Sequence, residues 1–148
     1  MIAWPENEEQ HLWLREFMRI REIVNLKDDC HFIVWVEKDT PVWVIALEGW
    51  VGQVCSIHFA CDKPRMLPRA LCRAVFKYTF EILKLKAVYG FQDSTNKGAI
   101  RLSEWIGFRL FHTLPGGGLR GDLRFVELRA DECRWLETQN GKESPTDA

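Results

Sequence analysis

Between His31 and Asp62 the chain passes through three segments, HFIVWVEKD, TPVWVIALEGW and VGQVCSIHFACD, dense in Val, Ile and Trp and parted only by short turns. β-Branched and aromatic residues crowd a helical turn but fit a pleated surface. Links this short cannot hold a crossover, so the three runs are expected to pair antiparallel, as a meander. The turns are placed at Glu37–Thr40 and at Glu48–Trp50, with Pro41 marking an edge.

The next segment fixes the centre of the fold. KPRMLPRALCRAVFKYTFEILKLK reads as a long helix, with Leu71, Val75, Tyr78 and Ile82 on one face and Pro68 in its first turn. AVYGF is then a short buried strand. A strand, a helix and a second strand in one sheet cross over right-handed, which makes the two strands parallel. Before the meander, EEQHLWLREFMRIREIV reads as an amphipathic helix with Trp13, Phe17, Ile20 and Val24 at helical spacing. After AVYGF come a shorter helix in STNKGAIRLSEWIGF and two strands, FRLFHTL and LRFVELR, joined across PGGGLRGD. The expected architecture is one α/β (α+β) domain over residues 1–148, a mixed, mostly antiparallel twisted sheet with a central parallel pair, and a flexible polar tail over 137–148.

Bulk chemistry removes several function classes. A net charge of −1 gives no electrostatic footprint for nucleic acid or an anionic membrane. No apolar run is long enough to span a bilayer, and MIAWPENEEQ lacks the basic-then-apolar layout of a signal peptide. A soluble, cytoplasmic protein is expected. The five cysteines, odd in number and without a C-x-x-C pair, point to reduced, mostly buried thiols, and the four histidines show no ligand spacing. No metal is expected, and the oligomeric state, monomer or dimer, stays open.

The middle of the chain resembles the GNAT superfamily of acyl-CoA-dependent N-acyltransferases. Nearly the whole chain matches by element order, and two short motifs match by residue. Asn96, Ala99, Gly107 and Phe108 stand in register with one motif. Arg65 and Ala70 of RMLPRA stand in register with the other, Arg/Gln-x-x-Gly-x-Gly/Ala, where Pro68 replaces the middle Gly. The ending GDLRFVELRADECRWL is similar to the branch that acetylates ribosomal-protein N-termini. CSIHF and the degenerate phosphate motif are similar to small GNAT-like proteins of tailed phages, some of them virion proteins.

The resemblance implies acetyl-CoA as co-substrate and an amine-bearing acceptor. A helix N-terminus suits its pyrophosphate, and splayed parallel strands leave backbone groups for its pantetheine arm. The cofactor residues implied are Phe59 and Ala60 on the third strand, Arg65, Met66, Leu67, Arg69 and Ala70 at the long helix, and Asn96 and Ala99 at the short one. Asn96 is read equally well as a helix cap, and Arg73 as part of a solvated basic stripe with Arg65 and Arg69. Gly107 and Phe108 read as helix stop and packing residue.

The chemistry rests on fewer residues. His58 lies on the strand that would flank the acetyl group, and imidazole titrates in the physiological range. It is a candidate base, or a structural histidine. Glu48 is a second candidate base, beside a turn. Ser103 stands where many family members carry a Tyr that protonates the leaving thiolate. Asp122 would attract a cationic amine, or shape the Gly-rich hairpin. The function expected is transfer of an acetyl group to a primary amine (a protein N-terminus, a lysine or a small amine) by direct attack. The alternative is a catalytically weak or inactive binding or virion-associated protein of the same fold, for which the seven tryptophans would serve as contact surface.

Overall fold

The computed structural model describes residues 1–22 and 24–136; the tail expected over 137–148 lies outside them. The meander forms from β2 (His31–Glu37), β3 (Thr40–Val51) and β4 (Val54–Cys61), paired antiparallel. The chain turns at Gly52, φ +56°, and not at Glu48–Trp50 as expected. Those residues form a bulge inside β3, where the register with β4 shifts between Glu48 and Val51 and Gly49 takes φ +66°. Only glycine adopts that conformation without strain, and it imitates a turn in sequence.

A two-residue strand, β1 (Ile2–Ala3), adds to β2. It is too short to leave a periodic signal. Helix α1 (Glu8–Glu22) packs Leu14, Phe17 and Met18 inward, while Trp13 and Ile20 of the expected face are exposed. The buried stripe shares Phe17 with the expected one and is turned from it by about one residue, toward Leu14 and Met18.

Helix α2 (Arg69–Phe76) starts one residue beyond Pro68, which is its N-cap. It continues as a π-helix over Lys77–Ile82, marked by the Leu83 N–H bonding to the Tyr78 carbonyl at 2.8 Å. The Thr79 hydroxyl donates to the Val75 carbonyl at 2.7 Å, a local competitor of the helical ladder. The wider turn rotates the residues beyond it. Phe76, Thr79 and Phe80 are buried, whereas Ile82, expected on the core face, is exposed.

β5 (Ala87–Asp93) returns parallel to β4. Helix α3 (Lys97–Ile106) comes next, then β6 (Arg109–Leu114) and β7 (Leu123–Arg129). The sheet order is β1-β2-β3-β4-β5-β7-β6. Two cores result. One lies between the sheet and α2, the π-helix and α3, and includes Ile57, Leu71, Val75, Phe76, Val88, Ile106 and Leu128. The other lies under α1, with Phe32, Val34, Val44, Ala46 and Ala60. The tryptophans mostly serve the first core: Trp43 and Trp135 are buried, Trp35, Trp50 and Trp105 pack against it, and only Trp4 and Trp13 are largely exposed. Among the described residues no helix is long and apolar enough to cross a membrane, and no metal-binding group occurs.

Candidate active site

β4 and β5 pair over three positions only, Val54 with Ala87, Cys55 with Val88 and Ser56 with Tyr89. Beyond these, β4 keeps pairing with β3 to Cys61 and β5 with β7 to Asp93. The sheet is therefore split along its centre. The Asp62 N–H donates to the Val42 carbonyl of β3 at 3.0 Å, so alternation turns the backbone groups of His58 and Ala60 toward β3. Those of Phe59 turn toward the gap. Ser94, at the end of β5, bonds to Asp122 on the β7 side, so Phe91 presents its backbone to the gap from the other wall. Of the two strand residues expected along a cofactor arm, Phe59 turns its backbone to the gap. Ala60 is turned away, its methyl buried under α1.

The mouth of the gap leads to the start of α2. Pro68 accepts from the N–H groups of Leu71 and Cys72, each at 3.1 Å, and no side chain caps the helix. The first turn of the helix, at Arg69 and Ala70, lies at the positive end of its dipole, which favours an anion. Because Pro68 lies at the cap, its missing N–H removes nothing from this first turn. The approach is rigid: Trp43 Nε1 donates to the Met66 carbonyl at 3.1 Å, and Leu67 is buried while the Met66 side chain is exposed. Arg65 is not on the helix, so the expected stripe with Arg69 and Arg73 does not include it. Its guanidinium bonds Asp62 at 2.9 Å and Glu37 at 3.1 Å.

α3 faces the gap from the other side. The Asn96 Oδ1 accepts the Ala99 N–H at 3.1 Å, a helix cap. This uses the oxygen of the side chain. Gln92, which no motif or spacing singles out in the sequence, is buried on β5. Its Nε2 donates to the Ala99 carbonyl at 3.1 Å, and its Oε1 is buried without a hydrogen-bond partner among the described residues. Such an acceptor is costly unless something donates to it. Ser103 is buried, its hydroxyl donating to the Ile100 carbonyl at 3.0 Å. Gly107 ends the helix at φ +117° and Phe108 is buried, as expected.

The two candidate bases meet. His58 Nε2 and Glu48 Oε1 lie 3.0 Å apart, with both side chains four-fifths buried. Glu48 pairs with Ser56 across the ladder, so its contact with His58 is the diagonal one, formed beside the bulge. The pair sits on the α1 face of β4, next to the point where β5 departs. Asp122 accepts the Gly116 N–H at 2.9 Å, which is the turn-shaping role. Cysteines offer no nucleophile here: burial pushes the Cys55 and Cys72 thiols up to about 12. A cavity of about 260 Å³ lies at the other end of the sheet, lined by Trp4, Pro5, Trp13 and Pro41 among others; it holds neither of the paired bases nor any of the parted backbone.

Neither a protein-family model nor a curated protein matches the chain. Solved structures do. A mutant form of a spermidine N-acetyltransferase from Vibrio cholerae superposes with a TM-score of 0.68 at 13% identity, over 88% of this chain and 95% of that one. An acetyltransferase from Salmonella typhimurium described with its cofactor acetyl-CoA gives 0.66 at 14%, over 89% and 94%. An N-acetyltransferase from Campylobacter jejuni in complex with acetyl-coenzyme A gives 0.60 at 13%, over 87% and 99%. Likeness at this identity speaks for the fold, and the fold is that of the GNAT acyltransferases.

Proposed function

We propose that this chain, built on the GNAT fold, is an acetyl-CoA-dependent N-acetyltransferase acting on a primary amine by direct attack. The observation that carries the reading is the parted β4–β5 pair, open beside an uncapped helix start and flanked by the His58–Glu48 pair. The residues present fit the co-substrate. The N–H groups of Arg69 and Ala70 suit its pyrophosphate, and the gap-facing backbone of Phe59 suits its amide-rich arm. The Gln92 oxygen, without a partner among the described residues, is an acceptor on the β5–α3 side, and the Asn96 amide nitrogen is a donor there.

When bound, the thioester supplies an activated acetyl group. His58 accepts the ammonium proton of the acceptor, directly or through water, and Glu48 fixes the ring and steadies the imidazolium. The nitrogen–carbon bond forms as the carbon–sulfur bond breaks, with its electron pair leaving on sulfur. A backbone N–H on the gap side of β4 would polarise the carbonyl. After attack the nitrogen gives up its second proton to solvent, and the departing thiolate takes one from solvent, since the Ser103 hydroxyl is already committed to Ile100.

Calorimetric titration with acetyl-CoA tests the binding half. At a hundred times its dissociation constant the ligand should add about 2.7 kcal/mol of stability. No heat and no melting shift at millimolar acetyl-CoA would defeat the reading.

A second reading, a binding protein that retains the fold and has lost turnover, is favoured by the committed Ser103 hydroxyl and the committed Arg65 guanidinium. Acetyl-CoA binding with no thiol release from any amine would select it.

A further inference from the structure

α1 covers the sheet only over β2, β3 and β4. On the same face, the β5–β7–β6 half carries a continuous array of rings. Tyr89 and Phe111 lie 5.5 Å apart, Phe91 and Phe125 5.3 Å, Phe111 and Phe125 6.2 Å, and His112 and Phe125 5.3 Å. A bulge in β6, where the register shifts between Leu110 and His112, brings Phe111 and His112 onto one face together. Phe91, on a central strand, is 48% exposed, and Phe111, on the edge strand, 49%.

Register ties this array to the candidate base. Ser56 and Tyr89 are partners and therefore share a face. His58 and Phe91 are the next residues on that face, one on each side of the gap. A molecule whose amine reaches His58 lays its body over Phe91, Phe125 and Phe111. Electrostatics narrows its chemistry. Two carboxylates of this face are ion-paired, Glu48 with His58 and Glu127 with Arg109 at 2.8 Å, while Asp93 accepts the N–H groups of Thr95, Arg120 and Gly121 and Asp122 that of Gly116. From His58 outward the face is lined by the rings of Phe91, Phe125 and Phe111, and the carboxylate beside them on β7, Glu127, is already held by Arg109.

Resting on the acetyl-transfer reading, we propose that the acceptor is a primary amine on an aromatic or bulky apolar body, seated on the Tyr89–Phe91–Phe111–Phe125 face, and not a polyamine. Burial of the apolar body on the rings supplies affinity, and the single amine lies at His58.

The test compares phenylethylamine with spermidine in a thiol-release assay at saturating acetyl-CoA. Phenylethylamine should win by about tenfold or more in kcat/KM. Phe111→Ala, on the edge strand away from the gap, should raise its KM about tenfold and leave acetyl-CoA affinity unchanged, with Phe111→Leu intermediate. Binding is read separately, by ring-proton shifts of Phe91, Phe111 and Phe125 on titration with phenylethylamine, with and without acetyl-CoA. Shifts at these rings support the site even if transfer is absent. Their absence overturns it, whatever the protein does with acetyl-CoA. Preference for spermidine with intact acetyl-CoA binding overturns the acceptor class and leaves the acetyl-transfer reading standing. A dimer in sedimentation that buries these rings and dissociates on Phe91→Ala also overturns it, in favour of a second copy of the chain.

Discussion

At the scale of single residues, two histidines carry opposite expectations. His58 is held by a carboxylate beside a gap, an arrangement suited to moving a proton. His58→Ala is expected to lower thiol release by roughly 10²–10⁴-fold with acetyl-CoA affinity unchanged. Glu48→Gln, which keeps a hydrogen bond but no charge, should lose less. Equal turnover in wild type and His58→Ala would remove the assignment. His31 is placed for stability. Its Nδ1 faces the Tyr78 hydroxyl at 2.8 Å, and its ring lies 4.7 Å from that of Trp50. Burial holds its titration below the ordinary 6.5, against a smaller upward pull from Asp29. The folded imidazole thus resists a proton that the unfolded chain accepts. The stabilisation is complete above about 6.5 and is lost as pH falls toward the depressed value. His31→Gln, an acceptor that does not titrate, should flatten the melting temperature between pH 6.5 and 5. An unchanged slope would place the acid sensitivity elsewhere.

At the scale of elements, α3 has both ends closed. Asn96 caps its start, and at its end the Ser103 carbonyl accepts the Gly107 and Phe108 N–H groups. Trp135 Nε1 donates to the Ile106 carbonyl at 2.8 Å, and Arg134 donates to the Trp105 carbonyl at 2.6 Å. Asn96→Ala should cost about 1 kcal/mol. Trp135→Ala, which empties a buried site and frees a buried carbonyl, should cost about 3–5 kcal/mol in urea unfolding. A loss under 1 kcal/mol for Trp135 would mean the last turn is held by something else. The cap and stop of this helix were legible because Asn and Gly act through their own local backbone. The meander and the parallel pair were legible because composition and link length leave little choice. The bulge at Gly49 was not, since a left-handed glycine inside a strand and one in a turn read alike. The Glu48–His58 contact depends on that bulge and was hidden with it. The π-helix was hidden too: one Thr hydroxyl taking a carbonyl loosens a helix that periodicity draws straight through, and the exposure of Ile82 results. Arg65 matched a motif by spacing, but spacing does not reveal the two carboxylates that hold its guanidinium.

At the scale of the whole molecule, the sheet is two plates on a hinge of three rungs, Val54–Ala87 to Ser56–Tyr89. Each plate is rigid in itself: β2, β3 and β4 are laced together, and β5, β7 and β6 are tied at their far end, where the Asp93 carboxylate receives N–H groups from Thr95, Arg120 and Gly121. Flexing is thereby concentrated at one line, the line where the candidate chemistry lies. An occupant that bonds to the backbone of both walls would act as a strut. Acetyl-CoA should therefore slow amide exchange at Phe59 and Phe91 more than in β2 or β6, neither of which borders the gap. Uniform protection, or none at these two amides, would mean that the plates do not move against each other. If they do, the stiffness of the protein is set by what it holds: flexible along its midline when empty, braced when loaded, so that a mutation far out on either plate could change binding by altering the angle at which the two walls meet.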